Sequence, residues 1–331
     1  MSSIGWDIGG VNVKVARVGA GESCRAMTEP LSIEHDADRL VSALQRLGRD
    51  IGAEGCRHAV TMTAELSQRF RSKAEGVGFI LDALTQAFPG APMQVLDTAG
   101  QFRTFAVARE RPIEVAASNW VATAMVIAAE HADVVLVDMG TTTTDIIPIE
   151  SGHVRAVGRT DPDRLASGEL VYSGALRTPV EALVREVPWR GGTAAVSADD
   201  FAHTSDVHCW LGTLPDHVLA ANGITRDRAG EHLARVACAD RSMLDDEGIS
   251  AIARCIAEAQ VAVIAQAIAR VRGRHPRLDR AAILGLGAPI AGAAARAAGL
   301  ATIDPGVQWD EEASRAAPAV AVARLLEAMH G

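Results

Sequence analysis

The chain begins with two runs in which hydrophobic and polar residues alternate. The first run covers residues 4–8, and the second covers residues 11–15, where two polar residues separate three valines. Alternation with a period of two is typical of strands that bury one face. Gly9 and Gly10 separate the runs and allow a tight turn, because glycine lacks Cβ and accepts positive φ. The pattern therefore predicts a hairpin, followed by a third strand at about 23–29.

Predicted strands and helices alternate along the rest of the chain. Short apolar runs bounded by turn residues predict strands, and apolar residues spaced by three or four predict helices. The predicted strands lie at 58–63, 94–97, 101–108, 134–137, 145–149, 154–157 and 281–286. The predicted helices lie at 36–51, 72–88, 118–131 with Ser118 as N-cap, 226–239, 248–272 and 310–329. Prolines and glycines make residues 159–217 the least regular part.

A second hairpin of the same plan is predicted far downstream. An apolar strand leads into Asp138-Met139-Gly140-Thr141-Thr142-Thr143-Thr144-Asp145, just as the first strand leads into Asp7-Ile8-Gly9-Gly10. Each half of the chain thus begins with a strand, an aspartate and a glycine turn. Strands alternating with helices predict an α/β fold, and the duplication predicts that it is built from two halves.

Composition narrows the choice of partners and compartment. A formal net charge of −9 provides no basic field that would attract nucleic acid. The five cysteines are widely spaced, which predicts reduced thiols in a cytoplasmic protein. No clean apolar run approaches the roughly 20 residues of a membrane span, and no signal-peptide pattern begins the chain. We expect a cytoplasmic protein with small-molecule partners, no nucleic-acid or membrane partner, and a homo-oligomer as an open alternative.

The first glycine turn has the residue types that bind a polyphosphate. Backbone amides near Gly9 and Gly10 can form a nest for an anion, and the Asp7 carboxylate can bind Mg²⁺. Lys14 can place a point charge on a phosphate, and it is one of only two lysines among 32 basic residues. A plain tight hairpin with a solvated lysine is the competing interpretation.

The second turn repeats this chemistry with hydroxyl groups. The four threonines offer hydroxyls and amides to a phosphate, although some of them can instead pack or bond to the backbone. Asp138 and Asp145 flank the turn, so one can coordinate a metal and the other can orient or deprotonate a nucleophile. A third glycine turn, Gly285-Leu286-Gly287, follows a buried strand and either lets a ligand lie against backbone or simply connects that strand to a helix.

The elements in this order resemble the sugar kinase/heat-shock ATPase/actin superfamily. The resemblance spans nearly the whole chain and implies two actin/hexokinase-like (ribonuclease H-like) lobes with an interlobe cleft. The first lobe would comprise residues 1–131 plus about 305–331. The second would comprise residues 132–304, with an irregular substrate-side insertion at about 159–217.

Four segments resemble one branch of the hydantoinase/oxoprolinase-related family, which is linked to the tetrahydromethanopterin one-carbon pathway. These segments are Gly5–Lys14, Thr61–Leu66, Ala117–Trp120 and Tyr172–Pro179. The resemblance implies a transferase of methanofuran biosynthesis. Such an enzyme joins an aminomethylfuran-methyl diphosphate to the phenol of glutamyl-tyramine, or a tyrosine-like acceptor, and releases pyrophosphate.

This reaction assigns a role to each candidate residue. Lys14, Asp7, Asp145 and Arg177 are the predicted catalytic residues, with Asp145 as the base for the phenol and Asp7 and Asp138 as ligands of Mg²⁺. The predicted diphosphate or nucleotide contacts are Gly9, Gly10, Asn12, Lys14, Gly140, Thr141, Thr142, Thr143, Thr144, Gly285 and Gly287. The predicted substrate contacts are Glu65 for an amine, Asn119, and Tyr172 for an aromatic ring.

Two other functions of the same fold stay open at this point. One is an ATP-dependent enzyme, either a small-molecule kinase or an oxoprolinase-like ATPase. The other is a nucleotide-dependent regulator without turnover. Individual residues also have plainer interpretations: Glu65 as an acid at a helix start, Arg177 in an ordinary ion pair, and Tyr172 in packing.

Overall fold

The computed structural model describes residues 2–19, 21, 23–303, 305 and 311–330. Contacts between Cα atoms divide the chain into two compact units. The first unit comprises Met1–Asp133, Ile149–Arg164 and Gly306–Gly331, and the second comprises Val134–Pro148 and Leu165–Pro305.

Fourteen strands lie in the described part of the chain. They are β1 (Ser3–Ile8), β2 (Asn12–Val18), β3 (Arg25–Pro30), β4 (Arg57–Met62), β5 (Met93–Leu96), β6 (Phe102–Thr104), β7 (Val134–Met139), β8 (Thr144–Glu150), β9 (His153–Val154), β10 (Leu170–Val171), β11 (Glu186–Trp189), β12 (Gly192–Ala195), β13 (Arg280–Leu284) and β14 (Ala301–Ile303).

Fourteen α-helices connect or cover these strands in the same described residues. They are α1 (Ile33–Asp36), α2 (Leu40–Ile51), α3 (Lys73–Ala87), α4 (Phe105–Glu110), α5 (Pro112–Val115), α6 (Asn119–Glu130), α7 (Asp161–Ser167), α8 (Thr204–Leu211), α9 (Asp216–Ala221), α10 (Arg226–Arg235), α11 (Asp246–Arg274), α12 (Ala288–Ala297), α13 (Glu311–Arg315) and α14 (Ala317–Ala328).

The first unit is built on a six-stranded sheet in the order β3-β2-β1-β4-β5-β6. The hairpin of β1 and β2 is antiparallel, whereas β1 and β4 run parallel, so their carboxyl ends meet at one edge. All six residues of β1 are buried. Gly5 lets α14 lie directly on this strand, because a Cβ at Gly5 would stand 1.9 Å from the Ala319 carbonyl oxygen. The close approach fixes the strand that delivers Asp7.

The second unit is built on a sheet in the order β10-β8-β7-β13-β14. The long helix α11 has a stripe of buried residues spaced by three or four, and the second half of this stripe, from Ile264 to Val271, packs in one hydrophobic cluster with Val135 and Val137 of β7. A second hydrophobic cluster holds β11, α8 and α10 against the first half of α11. By length and composition alone, α11 would also pass as a membrane span, a test that the core helix of a globular protein satisfies equally.

Most predicted elements are present, and the largest difference concerns residues 105–108. They were predicted to continue a strand from residue 101, but they belong to helix α4. The Thr104 side chain accepts a hydrogen bond from the Val107 amide, so it caps the helix and ends the strand. Ser118 precedes α6 as predicted, but its side chain makes no capping hydrogen bond.

Contacts place residues 149–164 with the first unit, whereas the sequence prediction assigned them to the second lobe. Two contacts explain this grouping. The Lys73 ammonium pairs with Asp161 at 2.6 Å, and the Arg164 guanidinium lies 4.2 Å from the centre of the Trp120 ring. The predicted irregular segment 159–217 contains α7, β10, the β11–β12 hairpin and α8, and part of it forms the second hydrophobic cluster.

Candidate functional site

The first glycine turn holds a buried carboxylate against a lysine. Asp7 and Lys14 are opposite each other in the register of β1 and β2, and the Lys14 ammonium donates to Asp7 Oδ2 at 3.2 Å. The Thr61 hydroxyl on the neighbouring strand donates to Asp7 Oδ1 at 3.2 Å. Asp7 is only 1% exposed, whereas the Lys14 side chain is 24% exposed. The carboxylate therefore fixes the lysine, and the lysine keeps a face that an anion can reach.

The turn itself is closed on one side and open on the other. The Gly9 amide donates to the Asn12 carbonyl at 2.9 Å. The Gly10 carbonyl accepts from the Ile33 amide, which anchors the turn to the segment after β3. A Cβ at Gly10 would meet no described atom within 4 Å. The described atoms of the turn thus leave room beside Gly10 for a bound group.

The second turn has the same closure. The Gly140 amide donates to the Thr143 carbonyl at 2.9 Å, which matches the bond between Gly9 and Asn12. Thr144 is buried and its hydroxyl donates to the Ser173 carbonyl at 2.7 Å, so this threonine bonds to the backbone. Thr141, Thr142 and Thr143 are half-buried, and the hydroxyls of the first two lie 3.4 Å apart. The three half-buried threonines are the ones that can offer hydroxyls to a ligand.

The segment after Tyr172 is seated on the second turn. The Ala175 amide donates to the Gly140 carbonyl, and the amides of Leu176 and Arg177 both donate to the Thr141 carbonyl, at 2.9–3.1 Å. A Cβ at Gly174 would stand 2.5 Å from backbone atoms of Thr141 and Thr142. This packing places the exposed Arg177 beside the threonines, and its predicted contact with a diphosphate stays a prediction.

A buried hydrogen-bond network supports that segment from behind. Gln260, on α11, donates to Ser173 Oγ at 3.0 Å and to the Gly174 carbonyl at 2.9 Å. Its side-chain oxygen lies 2.8 Å from His208 Nε2, and burial lowers the pKa of His208 below its ordinary value. Thr178 and Thr204 hydroxyls also bond to the Gly174 carbonyl. Sequence reasoning missed Gln260, since nothing near it in the chain marks it as part of a site.

We expect Gln260→Leu to weaken diphosphate binding by about threefold to tenfold, because loss of this support should displace the second turn slightly. Leucine removes the partner of His208 Nε2 and one of the two described partners of Ser173 Oγ, which keeps the Thr178 hydroxyl. A buried polar group left unsatisfied costs about 1–3 kcal/mol. Urea unfolding and the KM for the diphosphate substrate measure the two effects. Gln260→Glu keeps the acceptor for His208 and serves as the comparison. An unchanged KM in the leucine variant would contradict the positioning role.

The third glycine turn packs tightly on the end of β7. Gly285 has a φ of +85°, and a Cβ there would stand 2.4 Å from Asp138 Oδ1. The Gly287 amide donates to the Met139 carbonyl at 2.9 Å. Asp138 itself pairs in register with Leu284 of β13. Packing against β7 therefore accounts for both glycines within the second unit without a nucleotide.

Glu65 lies just after β4, at the carboxyl edge of the first sheet, and it is almost completely buried. Within the described part of the chain, neither carboxylate oxygen makes a hydrogen bond. Burial raises the pKa of this group to about 7, against the opposing effect of Lys73. The Lys73 ammonium lies 3.6 Å from Glu65 and 2.6 Å from Asp161. Sequence reasoning selected Glu65 but not its two partners. The scarcity of lysine was a usable signal, because both lysines pair with buried carboxylates of the first unit.

Asn119 and Tyr172 have different surroundings. Asn119 is the half-buried first residue of α6, after Ala117 in a left-handed conformation with φ of +50°. The neighbouring Ser118 hydroxyl and Trp120 indole nitrogen are buried without a hydrogen-bond partner among the described residues. Tyr172 is 59% exposed, so packing does not occupy its ring.

The arrangement of oxygen donors around Asp7 indicates how a Mg²⁺ ion could be held. Among the described residues, no group of three histidine, cysteine or acidic side chains is arranged as a ready-made metal site. Both oxygens of Asp7 already accept from Lys14 and Thr61. Mg²⁺ usually keeps several waters and is held by one or two carboxylates together with substrate phosphates. These residues fit a Mg²⁺ ion that arrives with a diphosphate, rather than one held by a protein cage.

Comparison with known proteins identifies a family and a relative that covers nearly the whole chain. The hydantoinase/oxoprolinase family model matches residues 57–329. A curated protein of Methanocaldococcus jannaschii is 34% identical over 332 residues, which cover 98% of this chain and 97% of that protein. It is named (4-{4-[2-(gamma-L-glutamylamino)ethyl]phenoxymethyl}furan-2-yl)methanamine synthase. A Methanococcus vannielii protein of the same name is 35% identical over 122 residues, covering 35% of this chain and 54% of that protein.

Solved structures share the fold at low identity. Component A of the (R)-2-hydroxyglutaryl-CoA dehydratase of Acidaminococcus fermentans is 10% identical, with a TM-score of 0.51 over 98% of this chain and 97% of that chain. An acetone carboxylase in its nucleotide-free state is 11% identical, with a TM-score of 0.60 over 97% of this chain and 70% of that chain. At these identities the likeness shows the fold alone. It agrees with the actin/hexokinase-like class that the sequence predicts.

Proposed function

The chain belongs to the hydantoinase/oxoprolinase family, and from this premise we propose that it is a transferase that forms an aryl ether in methanofuran biosynthesis. Its substrates would be an aminomethylfuran-methyl diphosphate and the phenol of glutamyl-tyramine. The bond between the furan-methyl carbon and the diphosphate oxygen breaks, and the bond from that carbon to the phenol oxygen forms. Pyrophosphate leaves, and the phenol gives up its proton. The named relative from M. jannaschii, aligned over nearly its full length, supports this reaction.

The observation that carries the proposal is the Asp7–Lys14 pair at the open glycine turn. A furan-methyl carbon ionises readily because the ring oxygen delocalises the developing positive charge, so the enzyme has to stabilise the departing diphosphate. A cation fixed in place before the reaction stabilises such charge without the cost of reorganisation. Asp7 holds the Lys14 ammonium at 3.2 Å, and the space beside Gly10 can receive the phosphate oxygens.

The remaining assignments stay predictions from the sequence. Thr141, Thr142, Thr143 and Arg177 are proposed to contact phosphate oxygens, and Asp145 is proposed to take the phenol proton. We also propose Mg²⁺ as the cofactor, which would neutralise charge on the diphosphate, with Asp7 and Asp138 as its protein ligands. The protein is proposed to act on small molecules in the cytoplasm.

The test is a turnover assay without nucleotide. We expect the purified protein, Mg²⁺, glutamyl-tyramine and the furan diphosphate to yield pyrophosphate by phosphorus NMR and the coupled aryl ether by mass spectrometry, in equal amounts. Omitting Mg²⁺ should lower the rate. An inert mixture that releases ADP or phosphate only after ATP is added would instead establish an ATP-dependent enzyme of the same fold. Nucleotide binding without turnover would indicate a regulator.

A further inference from the structure

Glu65 is a buried carboxylate that lacks the partners a buried charge needs. It is 1% exposed, and neither of its oxygens accepts a hydrogen bond from any residue that the structure describes. The Lys73 ammonium stands 3.6 Å away, which is beyond hydrogen-bond distance. That ammonium is much closer to Asp161, at 2.6 Å. Glu65 therefore has the weaker of the two interactions with Lys73.

Counting charges shows what this cluster is missing. When Glu65 and Asp161 are both ionised, they share the single positive charge of Lys73, so the cluster carries one uncompensated negative charge. Burying such a charge is costly unless it is paired and hydrogen-bonded. Desolvation accordingly raises the pKa of Glu65 to about 7, with Lys73 acting in the opposite direction and Asp161 adding to the increase. Glu75, the neighbouring acid on α3, accepts from the Arg71 amide instead.

The cluster lies at the same sheet edge as the first phosphate turn. Strands β1 and β4 are parallel with Asp7 beside Thr61, and the Thr63 amide donates to the Ile8 carbonyl at 2.9 Å. The Thr63 hydroxyl would lie 3.7 Å from a Cβ at Gly9. Glu65 follows two residues later, so the backbone between them spans at most about 7 Å. Glu65 therefore lies within the length of a small molecule from the turn.

We propose that Glu65 binds the aminomethyl ammonium of the furan substrate, while Lys73 remains paired with Asp161. This inference rests on the proposed function and specifies which end of that substrate each residue binds. A primary ammonium carries one positive charge and three N–H donors. It would therefore balance the negative charge of Glu65 and donate hydrogen bonds to its oxygens. The cluster then becomes two matched pairs, and the diphosphate at the other side of the ring reaches Lys14.

The first experiment compares two substrates in two variants. We expect Glu65→Gln to raise the KM for the aminomethylfuran-methyl diphosphate by about 10- to 100-fold, which is the range of a lost charged hydrogen bond. With a furan-methyl diphosphate that lacks the aminomethyl group, wild type and Glu65→Gln should have equal KM values. Glu75→Gln, a matched change on the adjacent helix, should behave as wild type with both substrates. An equal loss with both substrates in Glu65→Gln would overturn the proposal.

The second experiment measures the carboxyl group directly and does not require turnover. The Glu65 carboxyl resonance is assigned in ¹³C-glutamate-labelled protein by its absence in Glu65→Gln, and it should titrate near pH 7. Furfurylamine should lower that midpoint, since an ammonium favours the ionised carboxylate, whereas furfuryl alcohol should leave it unchanged. Furfurylamine should also bind more tightly as the pH rises through 7. A midpoint that furfurylamine does not move would overturn the proposal.

The two experiments separate this inference from the proposed function. If the wild-type protein releases no pyrophosphate but furfurylamine shifts the Glu65 midpoint, the ammonium site stands and the transferase assignment falls. If pyrophosphate is released but the midpoint does not move, the opposite conclusion holds. Glu65→Gln should fold, because the raised pKa of Glu65 means that its ionised carboxylate destabilises the folded protein. This destabilisation is complete above pH 7 and decreases as the pH falls toward 4.5.

Discussion

Replacing Lys14 by alanine should lower kcat/KM for pyrophosphate release by about 100- to 1,000-fold, the cost of removing one preorganised donor from a site where charge develops. Lys14 is the lysine that the structure places at the open glycine turn, held by Asp7 at 3.2 Å. Most of the loss should fall on kcat, because the negative charge on the leaving oxygen grows in the transition state. Single-turnover measurements with saturating diphosphate give this rate directly.

Two further variants separate charge stabilisation from folding. Among the described residues, Lys14→Ala leaves the buried Asp7 carboxylate with only the Thr61 hydroxyl as a hydrogen-bond partner, so the protein should also lose stability. Adding Asp7→Asn should restore stability in urea unfolding without restoring turnover. Lys14→Arg keeps the charge but changes the geometry, and it should retain part of the activity. If Lys14→Ala turned over at the wild-type rate, the diphosphate would have to be stabilised elsewhere.

The sequence predicts the two glycine hairpins well because their determinants are local. Alternating residues set the faces of β1 and β2, and the glycines between them set the turn. The prediction for residues 105–108 is wrong because two local signals compete. The residues after Gln101 include aromatic and β-branched types that favour a strand, but Thr104 caps a helix, and the tertiary structure selects the cap.

The partners of Glu65 could not be predicted in the same way. Lys73 and Asp161 are 88 residues apart in the chain, and no periodicity links them. What makes Glu65 unusual is burial, which depends on how α3 packs over the residues after β4. A Cβ at Gly76 would stand 2.6 Å from the Glu65 backbone, so this helix packs directly on the residue. Sequence alone therefore indicates the residue type, and only the packing indicates that the charge is unmatched.

The packing of the Gly174 segment against the second turn could not be predicted from the sequence either. We expect Gly174→Ala to lower kcat/KM by about 100-fold, since displacements of about 1 Å in a positioned site cost that much. The added Cβ would stand 2.5 Å from backbone atoms of Thr141 and Thr142. Backbone cannot rotate out of the way as a side chain does, so either the second turn or the segment carrying Arg177 has to move.

The matched control for that change is Gly273→Ala in the same unit. A Cβ at Gly273 would meet none of the atoms that the structure describes within 4 Å, and alanine is favoured over glycine in a helix by up to about 1 kcal/mol. This variant should keep wild-type kinetics and unfold at the same or a slightly higher urea concentration. Gly174→Ala should unfold at a lower concentration and bind pyrophosphate more weakly. Wild-type pyrophosphate affinity in Gly174→Ala would mean that the second turn does not contact the diphosphate, and Lys14 with its glycine turn would then be its main binding group.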